Sequence, residues 1–352
     1  MKHYTRAVVA AVLAACAGGV LAQEAGGGSA AVAVAPTVSE RLGEIAKREG
    51  VPALAAVLVR ADGTVVKEGV AGVRRAGGDE AATMGDLFHL GSCTKAMTAN
   101  LCAVLVQEGV LRWEMTIGEV FPEAFAEGSS AKAVWKDVTL AQLVRHRGGV
   151  PADLSKSGLW GELWAFEGTP TEARRKLLEG VLAGEPRSKP GTAFLYSNAG
   201  FAIAGHMAEV KTGKAYEALI VEKLFAPLGM TSVGFGAPGT EGAERADQPW
   251  GHSEGGTAVK PGKGADNPVA IAPAGTAHMT MADWAKFAAF EARAAGGTLL
   301  ENDPLDAVNA APLFEPLSVL NKKDEPAELA KDGYAAGWRV ETRAWGKGEA
   351  GR

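Results

Sequence analysis

An α/β fold, built as one discontinuous domain interrupted by an all-helical insertion, is predicted by three features of the sequence. Short apolar runs with strand character stand towards both ends, at 53–60, 64–70 and 334–340. Between them, from 96 to about 235, apolar residues recur mostly at helical spacing, punctuated by Pro and Gly. The chain has 352 residues, 47% hydrophobic and 22% charged, enough to bury a full core as one large or two interlocked domains. Strands from distant parts of a chain that share a core leave the helical middle as an excursion, with a cleft where the two parts meet. The expected α/β part is 37–91 with 271–352, and the expected helical part is 92–270.

In chain order, residues 1–22 read as an export signal. Lys2 and Arg6 charge the start, 7–15 form an apolar run, and Val20-Leu21-Ala22 offers small residues for cleavage. The same segment contains Leu13-Ala14-Ala15-Cys16, a lipoprotein pattern in which Cys16 carries the lipid, so periplasmic, secreted and membrane-attached fates all follow from export. Residues 23–36, rich in Gly, Ala and Ser, read as a flexible tether. Thr37 and Glu40 form a capping box that opens an amphipathic helix, with Leu42, Ile45 and Ala46 on its apolar side and Gly50 ending it. Asp62-Gly63 is a turn signal joining 53–60 to 64–70 as a hairpin. After the long helical stretch, helix returns at 281–295 and strand at 334–340, and no internal repeat is visible.

A formal net charge of -5, no long basic block and 7% aromatic residues leave no electrostatic footprint for nucleic acid. Past the signal only Cys93 and Cys102 remain; nine positions apart on one helix they would lie roughly 13 Å apart, too far for a disulfide. The six histidines are scattered without metal-ligand spacing, so neither metal nor cofactor is expected, and His146 and His206 read as structural, hydrogen-bonded residues.

Chemistry concentrates at Ser92-Cys93-Thr94-Lys95, which puts a hydroxyl and an amine one helical turn apart on one face. Gly91 permits a tight entry turn, and the helix formers after Lys95 place Ser92 at a helix N-terminus, where free N–H groups favour developing negative charge. That pattern suits a serine nucleophile with a lysine base. Lys95 can take the proton only when neutral, which at pH 7 requires a pKa roughly three units below about 10.4. A second Ser-x-x-Lys, Ser129 to Lys132, lies in a polar stretch without helical pattern and reads as surface loop. Gly251-His252-Ser253-Glu254-Gly255 matches a nucleophile elbow in letters but lacks the apolar strand before it and the helix after it, so it too reads as loop.

Together with Tyr196-Ser197-Asn198 in the run 190–201, and with 138–150 between them, the Ser92 motif resembles the penicillin-recognising serine hydrolases. Within these the chain is similar to the branch of class C β-lactamases, D-Ala-D-Ala peptidases and β-lactamase-like esterases. The likeness runs from about Thr37 to the last residue and includes 224–232 and Pro273-Ala274-Gly275. It implies a β-lactamase/transpeptidase-like fold, with an antiparallel sheet flanked by helices. It implies that Asn198 hydrogen-bonds the lysine or the substrate amide. Tyr196 is the alternative base, since a phenol beside a protonated lysine is more acidic, and Ser92, Lys95 and Tyr196 would then titrate as one unit.

The family also carries a third motif, Lys or His followed by Ser or Thr and Gly, on a strand beside the nucleophile. Lys211-Thr212-Gly213 closes a helical run and is a decoy, and the sequence stops at Gly351-Arg352, so a C-terminal truncation with an incomplete sheet is expected. The function implied is acyl-enzyme hydrolysis of an ester, amide or β-lactam carbonyl in a small-molecule or peptide substrate. The alternative is a non-catalytic or truncated relative that binds such ligands without turnover.

Overall fold

The first helix, Val38–Glu49, begins with both hydrogen bonds of the Thr37–Glu40 capping box and ends at Gly50 in the left-handed conformation. In the computed structural model the described residues are 13–14, 36–315 and 333–340; of the expected signal only Leu13 and Ala14 are among them, and Cys16 and nearly all of the tether lie outside. Strands Ala53–Val59 and Val65–Gly72 pair antiparallel, with Gly63 at φ 86° and the Thr64 N–H donating to Asp62 Oδ1 at 2.8 Å in the turn. On the outer edge of Ala53–Val59, Leu13–Ala14 pair in parallel with Leu58 and Val59. Alternate residues of Ala53–Val59 are buried, and Val57 and Val59 pack on Ala285 and Ala289 of the helix Met281–Gly296.

A second small sheet, in the order Phe88–His89, Ala277–Met279, Gly234–Phe235, is antiparallel throughout. Its first strand delivers the chain straight into the turn Gly91–Cys93 and the helix Thr94–Gln107. Every residue of that helix from Thr94 to Leu105 is buried, which explains why its apolar residues surround it instead of forming one stripe. Helix Asn198–Thr212 packs against it, and helices Leu140–Val144 and Pro170–Leu182 pack on Asn198–Thr212, in one apolar cluster that also takes in Phe88, Met279 and Ala336. Short strands at Gly251–His252 and Ala258–Val259 form a separate ribbon.

Residues 334–340 differ from the sequence expectation. They do not form one strand: Gly333–Tyr334 and Arg339–Val340 pair antiparallel as a tight hairpin. Gly337, at φ 85°, makes the reversal, and a Cβ there would lie 2.4 Å from the Cα of Ala96. Only glycine lets the turn come down so closely on the helix that carries Lys95.

Two buried charged groups on this framework show how burial is met by partners. Arg174, fully buried, makes paired hydrogen bonds to Glu209 at 2.6 and 3.0 Å and to Glu217 at 2.9 Å. Glu209 also meets His206 Nδ1 at 2.7 Å and accepts from the Tyr216 N–H at 2.9 Å, so three helices are tied at one point. Burial alone would raise the Glu209 pKa, but the hydrogen bonds from His206 and Arg174 hold it at about 2.

Glu291 is the opposite case. It accepts from Asn100 Nδ2 and from Trp338 Nε1, the latter at 2.9 Å, yet burial pushes its pKa up to about 8. An acid whose pKa is raised on folding contributes stability that is complete below the unfolded value of 4.5 and is lost as pH rises through 8. Glu291→Gln, which keeps the shape without the charge, is expected to match the wild type near pH 4.5 and to be more stable at pH 9 by a few kcal/mol. Urea unfolding at the two pH values measures this, and parallel stability profiles would contradict the assignment.

Candidate active site

The helix Thr94–Gln107 carries four buried polar side chains, Thr94, Lys95, Thr98 and Asn100, and each has a hydrogen-bond partner. Asn100 donates to the Ala96 carbonyl and to Glu291. Thr98 Oγ1 donates to the Pro273 carbonyl at 2.6 Å and meets the Tyr216 hydroxyl at 2.7 Å. Lys95, one per cent exposed, points into the gap between this helix, the start of Asn198–Thr212 and the short helix Ala272–Gly275. Its Nζ lies 2.6 Å from the Ala274 carbonyl, 2.8 Å from Asn198 Oδ1 and 3.1 Å from Ser92 Oγ.

Two of those three partners are acceptors only, so Lys95 donates to both. A neutral amine has two N–H bonds and one lone pair; once Ala274 and Asn198 take the hydrogens, the lone pair faces the Ser92 hydroxyl. The electrostatics point the same way. Burial lowers the Lys95 pKa to about 7, even though its Nζ lies 4.7 Å from the Tyr196 ring centre and 5.7 Å from that of Phe201, contacts that favour a cation.

Ser92 is exposed, at the second position of the turn Gly91–Cys93, where backbone N–H groups have no acceptor within the helix. The turn is locked from both sides: Thr94 Oγ1 donates to the Gly91 carbonyl at 2.7 Å and accepts from the Ala277 N–H at 3.2 Å. Tyr196 hangs over the serine, its hydroxyl donating to Ser92 Oγ at 2.7 Å. Partial burial raises the phenol above its usual pKa, and the hydrogen bond to Ser92 offsets only part of that. Ser92 Oγ can therefore accept from Tyr196 while donating to Lys95. Ser197 caps the helix that starts at Asn198 by accepting from the Gly200 N–H, and this places Asn198 against Lys95.

The structure thus brings Ser92, Lys95, Tyr196 and Asn198 into one hydrogen-bonded group. It leaves the three look-alike motifs outside that group. Ser129 and Ser130 are exposed in a loop, Ser253 sits in the ribbon between Gly251–His252 and Ala258–Val259, and Lys211 to Gly213 end a helix. The Ala274 carbonyl, the nearest partner of Lys95, has no sequence signal as a site group because any residue offers the same backbone oxygen. Cys93 and Cys102 are both free thiols, and among the described residues no cluster of His, Cys, Asp or Glu could hold a metal ion.

A family model described as Beta-lactamase matches residues 38–351. Penicillin-binding protein 4 of Amycolatopsis lactamdurans is 29% identical over 191 residues, 54% of this chain and 46% of that protein. A putative D-alanyl-D-alanine carboxypeptidase of Escherichia coli K12 is 27% identical over 158 residues, 44% of this chain and 35% of its own. The matched stretches thus span less than half the length of these two relatives. Among solved structures, the octameric penicillin-binding protein homologue from Pyrococcus abyssi superposes with a TM-score of 0.65 at 21% identity, over 87% of this chain and 65% of that one. At that identity the likeness speaks for the fold, which is β-lactamase/transpeptidase-like, with mixed helices and antiparallel sheets.

Proposed function

Because the chain belongs to the beta-lactamase family, we propose that it is a serine hydrolase that forms an acyl-enzyme at Ser92 with an ester, amide or β-lactam carbonyl. The observation that carries this reading is the buried Lys95 amine, 3.1 Å from an exposed serine hydroxyl, with its two hydrogens committed to Asn198 and Ala274. Ser92 Oγ attacks the carbonyl carbon as its proton passes to Lys95 Nζ, and the Ser92 N–H faces the developing oxyanion. The tetrahedral intermediate collapses when the leaving group takes a proton from the Tyr196 hydroxyl, which Lys95 resupplies. Water then attacks the ester, giving its proton to the same pair, and the acid product leaves with Ser92 restored.

Lys95 is the resting base in this scheme, since burial moves both pKa values towards neutral amine and protonated phenol. An exported location follows from Lys2, Arg6, the apolar run and Val20-Leu21-Ala22, and no helix among the described residues is long and apolar enough to cross a membrane.

The test is covalent. Intact mass of the full chain after exposure to a fluorophosphonate or a β-lactam, followed by peptide mapping, is expected to place one adduct on Ser92; an adduct on Ser253 or Ser129 would overturn the assignment. The acylation rate is also expected to climb about tenfold per pH unit below 7 and to level off above it, because only the neutral amine accepts the proton. A profile flat from pH 5 to 8 would remove Lys95 from the role of base.

A further inference from the structure

Among the described residues, His146 is the only non-glycine with a left-handed backbone, at φ 57°. Side chains with a Cβ disfavour that conformation, so the residues around it must hold it there. What it achieves is visible at one segment. The His146 carbonyl accepts from the Leu195 N–H at 2.8 Å, and its Nδ1 accepts from the Ser197 N–H at 3.1 Å. Those two amides flank Tyr196. The imidazole lies 4.4 Å from the Tyr196 ring, centre to centre, with the rings of Phe201 at 5.1 Å and Tyr334 at 4.8 Å closing around it.

Since Nδ1 accepts, the neutral ring carries its proton on Nε2, which is buried without a hydrogen-bond partner. A left-handed backbone and an orphaned donor are two unfavourable features at one residue, and both come with the contact to Tyr196.

We propose that His146 is a positioning residue, whose grip on the amides of Leu195 and Ser197 fixes the Tyr196 hydroxyl on Ser92 and Asn198 on Lys95. The inference rests on the acyl-enzyme reading above. The grip needs an unprotonated Nδ1, and burial, with the Lys95 charge, lowers the pKa of His146 to about 3. The titratable groups packed on it are Lys95, Tyr196 and Tyr334, with Arg145 and Arg147 beside it in the chain.

Two substitutions in the full chain separate positioning from packing. Asn and Gly both tolerate the left-handed backbone, but only Asn brings an oxygen that can accept from Ser197. With p-nitrophenyl acetate, His146→Gly is expected to lower kcat at least tenfold with KM within threefold, and His146→Asn to recover most of the loss. Tyr196→Phe, costing about 10²-fold in the wild type, is expected to cost less than tenfold in the His146→Gly background, because a hydroxyl no longer held in place has less to lose.

Effects that multiply, or a wild-type kcat in His146→Gly, would overturn the proposal. If His146→Gly fails to fold, nitrogen-15 NMR of the wild type decides: Nδ1 without a proton from pH 5 to 8 is expected, and a proton on Nδ1 overturns the grip. A wild type that is never acylated at Ser92 would overturn the acyl-enzyme reading and this proposal with it. Normal acylation with multiplying effects removes the positioning role alone.

Discussion

Lys95→Ala is expected to slow acylation of Ser92 by about 10²- to 10⁴-fold, the range that a positioned general base contributes. The loss should appear in the acylation step itself, read as the burst of p-nitrophenol or the first-order yellow-to-red change of nitrocefin at saturating substrate. Tyr196→Phe is expected to cost about 10²-fold, chiefly in leaving-group departure and deacylation, because in the resting site the phenol donates to Ser92 and does not accept from it. The order of the two effects matters more than their size. If Tyr196→Phe stops acylation while Lys95→Ala leaves it within tenfold of the wild type, the phenol is the base and the lysine only a charge beside it. Asn198→Ala, which removes one of the two acceptors that commit the amine's hydrogens, should fall between them.

Arg174→Met is expected to destabilise the protein by about 3–5 kcal/mol, the cost of breaking a buried ion pair from one side. Arg174 is fully buried, and Glu209 beside it has a side chain only 2% exposed. Without the guanidinium, Glu209 keeps His206, Thr171 and the Tyr216 N–H but loses its paired cation. Its pKa should then climb from about 2, because burial, the largest influence on it, is opposed by fewer hydrogen bonds and no guanidinium charge. The deficit should therefore be greatest at neutral pH and shrink as acid protonates Glu209, which urea unfolding at pH 7 and pH 4.5 would show. A loss below about 1 kcal/mol at pH 7 would mean that the cluster contributes little. The consequence reaches the site, because Glu209 anchors the far end of the helix whose first residue, Asn198, meets Lys95.

The local devices were legible because they depend on neighbours in the chain. The Thr37–Glu40 capping box, the turn at Asp62-Gly63 and the helix end at Gly213 all involve hydrogen bonds or backbone angles within a few residues. The two-residue strand Phe88–His89, which aims the chain at Ser92, is too short to show any period, and its pairing with Ala277–Met279 joins positions almost two hundred residues apart. The run 334–340 failed as a strand for a related reason. Its apolar letters suit extended chain, but Gly337 turns it back on the helix at Ala96, a contact across more than two hundred positions.

By itself the sequence determined the identities that the chemistry needs: a hydroxyl and an amine at helical spacing in Ser92 and Lys95, and a phenol and an amide two positions apart in Tyr196 and Asn198. Covalent spacing settles such pairs because a helix turn or a short extended segment has only one geometry. The tertiary structure alone decided what state those groups are in. The pKa of Lys95 near 7 is set by burial among residues from distant parts of the chain, and its hydrogens are directed by Asn198 and by the Ala274 carbonyl, 103 and 179 positions away. Desolvation and a backbone oxygen leave no mark in the letters of a sequence, since any apolar neighbours would supply the first and any residue the second.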